Sequence, residues 1–113
     1  MYDEYLADRI SQILKQKHIE FKAKKMFGGI AFMVKGKMTV GVVSAKQTKE
    51  TTLMVRVGKM LYEQALRQPE ARVMDFTGKP MKGFVFVGPK GFDMDEDLEA
   101  WINRATSFND ELD

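Results

Sequence analysis

Cysteine is absent from this 113-residue chain, and histidine and tryptophan occur once each. Without cysteine there can be no disulfide, no thiolate nucleophile and no Cys-based metal site. The single histidine, His18, cannot build a metal cluster, and no Ser forms a visible dyad with it. Proline is limited to three residues, so few points of the chain are barred from helix or sheet. Long apolar runs are also missing. None approaches the roughly 18 residues that a membrane span requires. The opening residues, Met1-Tyr2-Asp3-Glu4-Tyr5, contain neither a basic region nor an apolar stretch, and a signal peptide is not expected. The expected compartment is the cytoplasm, with no membrane partner.

A large net charge is lacking too. The sum is +2, too small to demand a polyanion. Its distribution is uneven. Residues 1–60 hold 12 Lys/Arg against 5 Asp/Glu, a charge of +7, while residues 61–113 hold 6 against 11, a charge of −5. Such asymmetry can signal a basic face for nucleic acid. The simpler reading, and the one favoured, is a solvated surface whose signs happen to segregate. Hydrophobic residues make up 44% and charged residues 30%, which suits one folded domain over 1–113 and argues against disorder.

The periodicity is clear along most of the chain. Tyr2, Leu6, Ile10, Ile13 and Leu14 recur at three- and four-residue steps, with Asp3 and Glu4 before them and Lys15 and Lys17 after. This predicts a helix over 3–17 whose charges complement its dipole. Alternation predicts strands over 19–24, 30–35, 37–43 and 52–57, the middle two forming a hairpin at Lys35-Gly36. Residues 44–51 are polar and aperiodic and read as a loop. A short helix is expected over 59–68, ended by Pro69. Strands over Arg72–Phe76 and Met81–Val87 should flank the turn Thr77-Gly78-Lys79-Pro80. Asp93 and Glu96 have capping-box spacing, and Met94, Leu98, Trp101, Ile102 and Ala105 make one apolar stripe. A helix over 94–106 follows, with a frayed tail. The fold class is α+β: two layers, a mainly antiparallel sheet with helices on one face, in the order α-β-β-β(-β)-α-β-β-α.

The stretch Lys25-Met26-Phe27-Gly28-Gly29-Ile30-Ala31-Phe32-Met33-Val34-Lys35-Gly36-Lys37-Met38 resembles the signature of the TfoX/Sxy N-terminal domain family. The similarity continues through Leu53–Val57, Met74–Phe84 and Leu98–Ile102, nearly the whole chain in one order. The resemblance implies a compact α+β domain shaped like small secretion-chaperone folds, many of which dimerise. It also implies a bacterial, non-enzymatic regulatory role. The best-known members control natural competence, acting with a cyclic-AMP receptor protein on DNA-uptake genes. Those members carry a further helical C-terminal domain, and a stand-alone first domain is expected here.

The residues that could carry chemistry are few. Gly28-Gly29 lacks the spacing of phosphate-binding loops and leads into a strand, so a bend or bulge accounts for it; Gly83, inside an apparent strand, reads the same way. Gly36 supplies the positive φ of the hairpin turn. Lys22, Lys24 and Lys25, near Phe27, with Lys35 and Lys37 at the next turn, could track a phosphate backbone. The favoured reading is that they protect an exposed strand from edge pairing. Arg56 alternates with Val55 and Val57. It is expected to pair with Asp75, or else to hold a carboxylate or phosphate with Lys82 nearby. His18 falls where the first helix ends and reads as a cap. The acidic run Asp93, Asp95, Glu96 and Asp97 lacks the spacing of a calcium loop and suits a helix start. Nine methionines read mainly as core filler, with adaptable protein contacts as their other use.

The first expectation is therefore a non-catalytic regulatory module without cofactor or metal, binding a protein partner and able to form a homodimer by edge pairing or an apolar patch. A nucleic-acid-binding module using the five lysines stands beside it, and its mark would be their gathering on one face. The third reading is a small anionic ligand or enzymatic site at Arg56, Lys82 and Gly83. It requires a pocket that joins them.

Overall fold

A computed structural model describes residues 3–26, 28–43, 50–75 and 80–111, the last without its side chain. Tyr2, Phe27, most of the expected 44–51 loop, Phe76 and most of the 77–80 turn lie outside the described residues.

Helix α1 spans Glu4–Gln16. Asp3 caps it, its Oδ1 accepting the Leu6 N–H at 3.1 Å. At the other end His18 takes a left-handed φ of +58°. Its N–H donates to the Lys15 carbonyl and the Ile19 N–H to the Leu14 carbonyl, each at 3.0 Å. This is a Schellman closure with histidine where glycine is usual. The expected capping role of His18 is thus filled by its backbone, while the side chain is exposed.

The sheet follows. Strands β1 (Lys22–Met26), β2 (Gly29–Val34), β3 (Lys37–Val43) and β4 (Thr52–Arg56) run antiparallel in sequence order. Helix α2 (Tyr62–Leu66) then leads to β5 (Ala71–Val73) and β6 (Phe84–Val87). β6 inserts beside β4 and leaves β5 at the far edge, giving the order β1-β2-β3-β4-β6-β5. A single 3-10 turn, Pro89–Gly91, precedes helix α3 (Asp95–Glu111). The architecture is α+β in the order α-β-β-β-β-α-β-β-α, as periodicity predicts.

Alternation along the strands decides the two faces. Phe32, Val40, Val42, Leu53, Val55, Val85 and Val87 are buried against Leu6, Ile10 and Leu14 of α1, Ala65 of α2, and Leu98, Trp101, Ile102 and Ala105 of α3. Each large side chain shut away contributes about 1.5–3 kcal/mol. The opposite face holds a smaller cluster, Val43, Met54, Met74 and Phe86, with Met38, Met81 and Phe84 against it. Four of the nine methionines therefore fill the second face. Met74 and Met81 are joined there by the backbone, the Met81 N–H donating to the Met74 carbonyl at 2.9 Å.

Several boundaries differ from the periodicity. β1 starts at Lys22, later than expected, although Ile19 and Phe21 still pack on the core. The 59–68 helix shrinks to Tyr62–Leu66, leaving Met60 and Leu61 exposed outside it. The strand expected from Met81 begins at Phe84, because Gly83 has a φ of +95° that an extended strand cannot hold. The last helix starts one residue later than expected and, instead of ending at 106, runs to Glu111, into the tail expected to fray from Asn109.

Tertiary bonds explain that extension. The register of β2 and β3 slips between Phe32 and Met33, which face Val40 and Met38, and Thr39 is the extra residue of a bulge. Asn109, on the last turns of α3 and 2% exposed, donates through Nδ2 to the Val34 carbonyl at 3.1 Å and to Thr39 Oγ1 at 3.4 Å. The entry of α3 is held from α1. Arg9 Nη2 donates to the carbonyls of Phe92 and Asp93 and to Asp95 Oδ1 at 3.0–3.1 Å. Asn109→Ala should lower the unfolding free energy by about 1–3 kcal/mol in urea denaturation. Asp110→Ala, which breaks only an exposed 3.8 Å pair with Lys35, should cost about 0–1 kcal/mol.

Candidate functional site

Where β4 ends, alternation turns Val55 and Val57 into the core and Arg56 away from it. Arg56 pairs in register with Phe84 of β6. Its guanidinium carbon lies 5.4 Å from the Phe84 ring centroid and 5.3 Å from that of Phe108 on α3. Both distances are within cation–π range, so two aromatic rings orient one cation. The expected Arg56–Asp75 ion pair does not form. Packing delivers Phe108 to this point from 52 positions along the chain, a contact that no local pattern signals.

After Arg56 the chain must leave the sheet abruptly. The N–H groups of Val57 and Gly58 both donate to the Gly83 carbonyl, at 2.8 and 3.0 Å. Gly58 has a φ of +83°, and a Cβ there would lie 2.4 Å from the Phe108 ring. Gly58 is thus fixed by both conformation and space. The two loops tied at Gly83 enclose a cleft of about 310 Å³. Arg56, Lys59 and Lys82 supply its charge, and Met60, Leu61, Phe84 and Phe108 supply its apolar wall. Met60 is 94% exposed. Among the described residues no carboxylate pairs with any of the three cations.

The cleft therefore joins Arg56, Lys82 and Gly83, as the anionic-ligand reading requires. Sequence reasoning singled out those three and missed Gly58, Lys59, Met60 and Phe108. Met60 and Leu61 fall within the helix expected over 59–68, and Gly58, directly after Val57, is the local signal that could have marked a break.

The lysines divide differently. β1 is an edge strand. Register puts Lys22 and Lys24 opposite Met33 and Ala31, on one sheet face, and Lys25 opposite Ile30, on the other. Lys35 forms the hairpin turn with Gly36, at φ values of +56° and +78°, and its Nζ reaches Asp110. Lys37 opens β3 opposite Val34. A shallow groove of about 1010 Å³ along the edge gathers Lys15, Lys22, Lys24 and Lys35, but neither Lys25 nor Lys37 lines it. The five lysines do not share one face. The glycine pair is a bend, as expected: Gly28 has a φ of +72° and Gly29 starts β2. The acidic run supplies Asp95, Glu96 and Asp97 to the first turn of α3, and no group of metal-ligating side chains forms among the described residues.

All six described strands, the Gly28–Gly29 bend and the two loops tied at Gly83 fall inside one family match, to the TfoX N-terminal domain over residues 13–109. The chain belongs to the TfoX N-terminal domain family. That domain occurs in competence regulators and is not a recognised catalytic family. No curated protein matches the chain. Among the described residues no helix is long and apolar enough to cross a membrane.

Gly58→Ala should destabilise the fold by about 2–4 kcal/mol, combining a left-handed backbone with a clash on Phe108. Gly36→Ala, whose Cβ meets nothing within 4 Å, should cost only about 1–2 kcal/mol. Urea midpoints of the two variants check the difference.

Proposed function

We propose that this TfoX N-terminal domain is a non-catalytic regulatory module that works by binding a protein partner at the Arg56 cleft. One observation carries the reading: a nearly fully exposed Met60 beside three cations that no carboxylate among the described residues pairs, on a frame locked by Gly58 and Gly83. An exposed, flexible apolar side chain at the mouth of a charged cleft suits adaptable protein contact. The cleft offers no nucleophile–base pair and no acid–base pair among its lining residues. A cytoplasmic regulator is the cellular role that fits this chemistry.

Homodimerisation through the β1 edge is disfavoured. Pairing two copies of that strand would set Lys22, Lys24 and Lys25 of one against those of the other, and like charges across a ladder repel. The Met60 surface is the better site for self-association as well as for a foreign partner. The nucleic-acid reading keeps the edge groove with Lys15, Lys22, Lys24 and Lys35, but loses the single basic face it needs.

A photo-crosslinking residue placed at Met60 should give discrete protein adducts in living cells. The same residue at Tyr5, also exposed at 73%, should not. Equal adducts from both positions, or none from Met60, would sink the reading. Fluorescence anisotropy with labelled duplex DNA and single-stranded RNA, at about 50 and about 200 mM salt, should show no steeply salt-dependent binding. Binding lost on changing Lys22 and Lys24 to Glu would move the function to the edge groove.

A further inference from the structure

We infer that the Arg56 cleft recognises an acidic peptide segment bearing one apolar anchor residue. The inference rests on the protein-partner reading and names the partner's chemistry.

The charge of the cleft comes first. Arg56, Lys59 and Lys82 bring three positive charges to one small opening, and no carboxylate among the described residues offsets them. A partner segment with several carboxylates complements that charge, whereas a neutral one does not. Arg56 is the central cation. It is half-buried, and Phe84 and Phe108 at 5.3–5.4 Å orient its planar fork before any ligand arrives. An oriented guanidinium takes a carboxylate through two parallel N–H donors with little ordering left to do. Lys59 and Lys82 are exposed, and their long stems can follow carboxylates at more than one spacing.

The apolar wall sets the second requirement. Phe84, Phe108 and Met60 line the same cleft as the cations. A purely ionic ligand would leave that surface wet. At roughly 30 Å³ per water-sized unit, a cleft of about 310 Å³ holds on the order of ten heavy atoms, the size of one apolar residue with its neighbouring carboxylate. The surrounding acidic residues then lie outside, against the two lysines. The Val57 and Gly58 N–H groups are committed to the Gly83 carbonyl, so ligand anions meet side chains and not these amides.

The test uses defined peptides on the full chain. Amide shifts are followed by ¹⁵N–¹H NMR while an acetylated, amidated Glu-Glu-Leu-Glu-Glu peptide is added. Saturable shifts confined to Val57–Leu61 and Lys82–Phe84 are expected. A Gln-Gln-Leu-Gln-Gln peptide and a Glu-Glu-Gly-Glu-Glu peptide should each bind about tenfold more weakly or worse. Arg56→Gln should weaken the first peptide by about tenfold or more, with Arg56→Lys between the two. If Arg56→Gln fails to fold, the Lys59→Gln, Lys82→Gln double variant, changed only at exposed positions, should weaken binding severalfold.

Equal binding of the Gln peptide would overturn the acidic requirement. Equal binding of the Gly peptide, or of inorganic phosphate, at the same residues would overturn the apolar anchor. Shifts centred on Lys22 and Lys24 would move anion recognition to the β1 edge. Peptide binding that fails while Met60 still crosslinks in cells overturns the acidic-peptide inference alone. Failure of both overturns the protein-partner reading with it.

Discussion

Helix α3 lies across the sheet with Leu98, Trp101, Ile102 and Ala105 shut away from water, and three other features hang on that burial. Its first turn is tethered to α1 by the Arg9 guanidinium, which takes two backbone carbonyls as well as Asp95. Its last turns grip the bulge between β2 and β3 through Asn109. Next to Asn109, Phe108 lies over Gly58 and faces Arg56. The helix thus closes the core, holds the irregular hairpin in register and builds one wall of the cleft.

The cleft couples two physical demands at one point. The chain has to leave β4 at once, which takes two left-handed glycines and a shared carbonyl. Just before that departure, strand alternation points Arg56 out of the core face, beside two aromatic rings. Backbone geometry and side-chain electrostatics therefore reinforce each other: the bonds that shape the opening also preorganise its central cation. Outside this frame Lys59, Met60 and Lys82 are exposed, so a backbone fixed by hydrogen bonds carries long side chains that nothing among the described residues confines.

The two edges of the sheet are protected by different means. β5 is only three residues long, with Arg72 tied back to Glu50 and Thr52. β1 is longer, and three of its five residues are lysine. Charge on one edge and brevity on the other discourage pairing with further strands. The basic half of the sequence thus has a structural use that does not depend on nucleic acid.

Much was legible in the amino-acid order. Repetition every three to four residues marked α1 and the apolar stripe of α3, and alternation marked the strands, because core burial imposes both periods on any chain. Lys35-Gly36 declared its turn through the glycine, because a tight hairpin turn needs a positive φ that glycine adopts without cost. Arg56, Lys82 and Gly83 stood out as residue types able to hold an anion. Ends were less legible. The last helix outran its apolar stripe because Asn109 finds partners on β2 and β3, and the strand expected from Met81 was shortened by a glycine conformation that composition does not reveal. Local sequence determined the element types and their order. Tertiary structure alone decided that β6 inserts beside β4, that Phe108 meets Arg56, and that the five lysines do not gather on one face. Those outcomes depend on contacts between distant residues, and such contacts leave no period in the sequence.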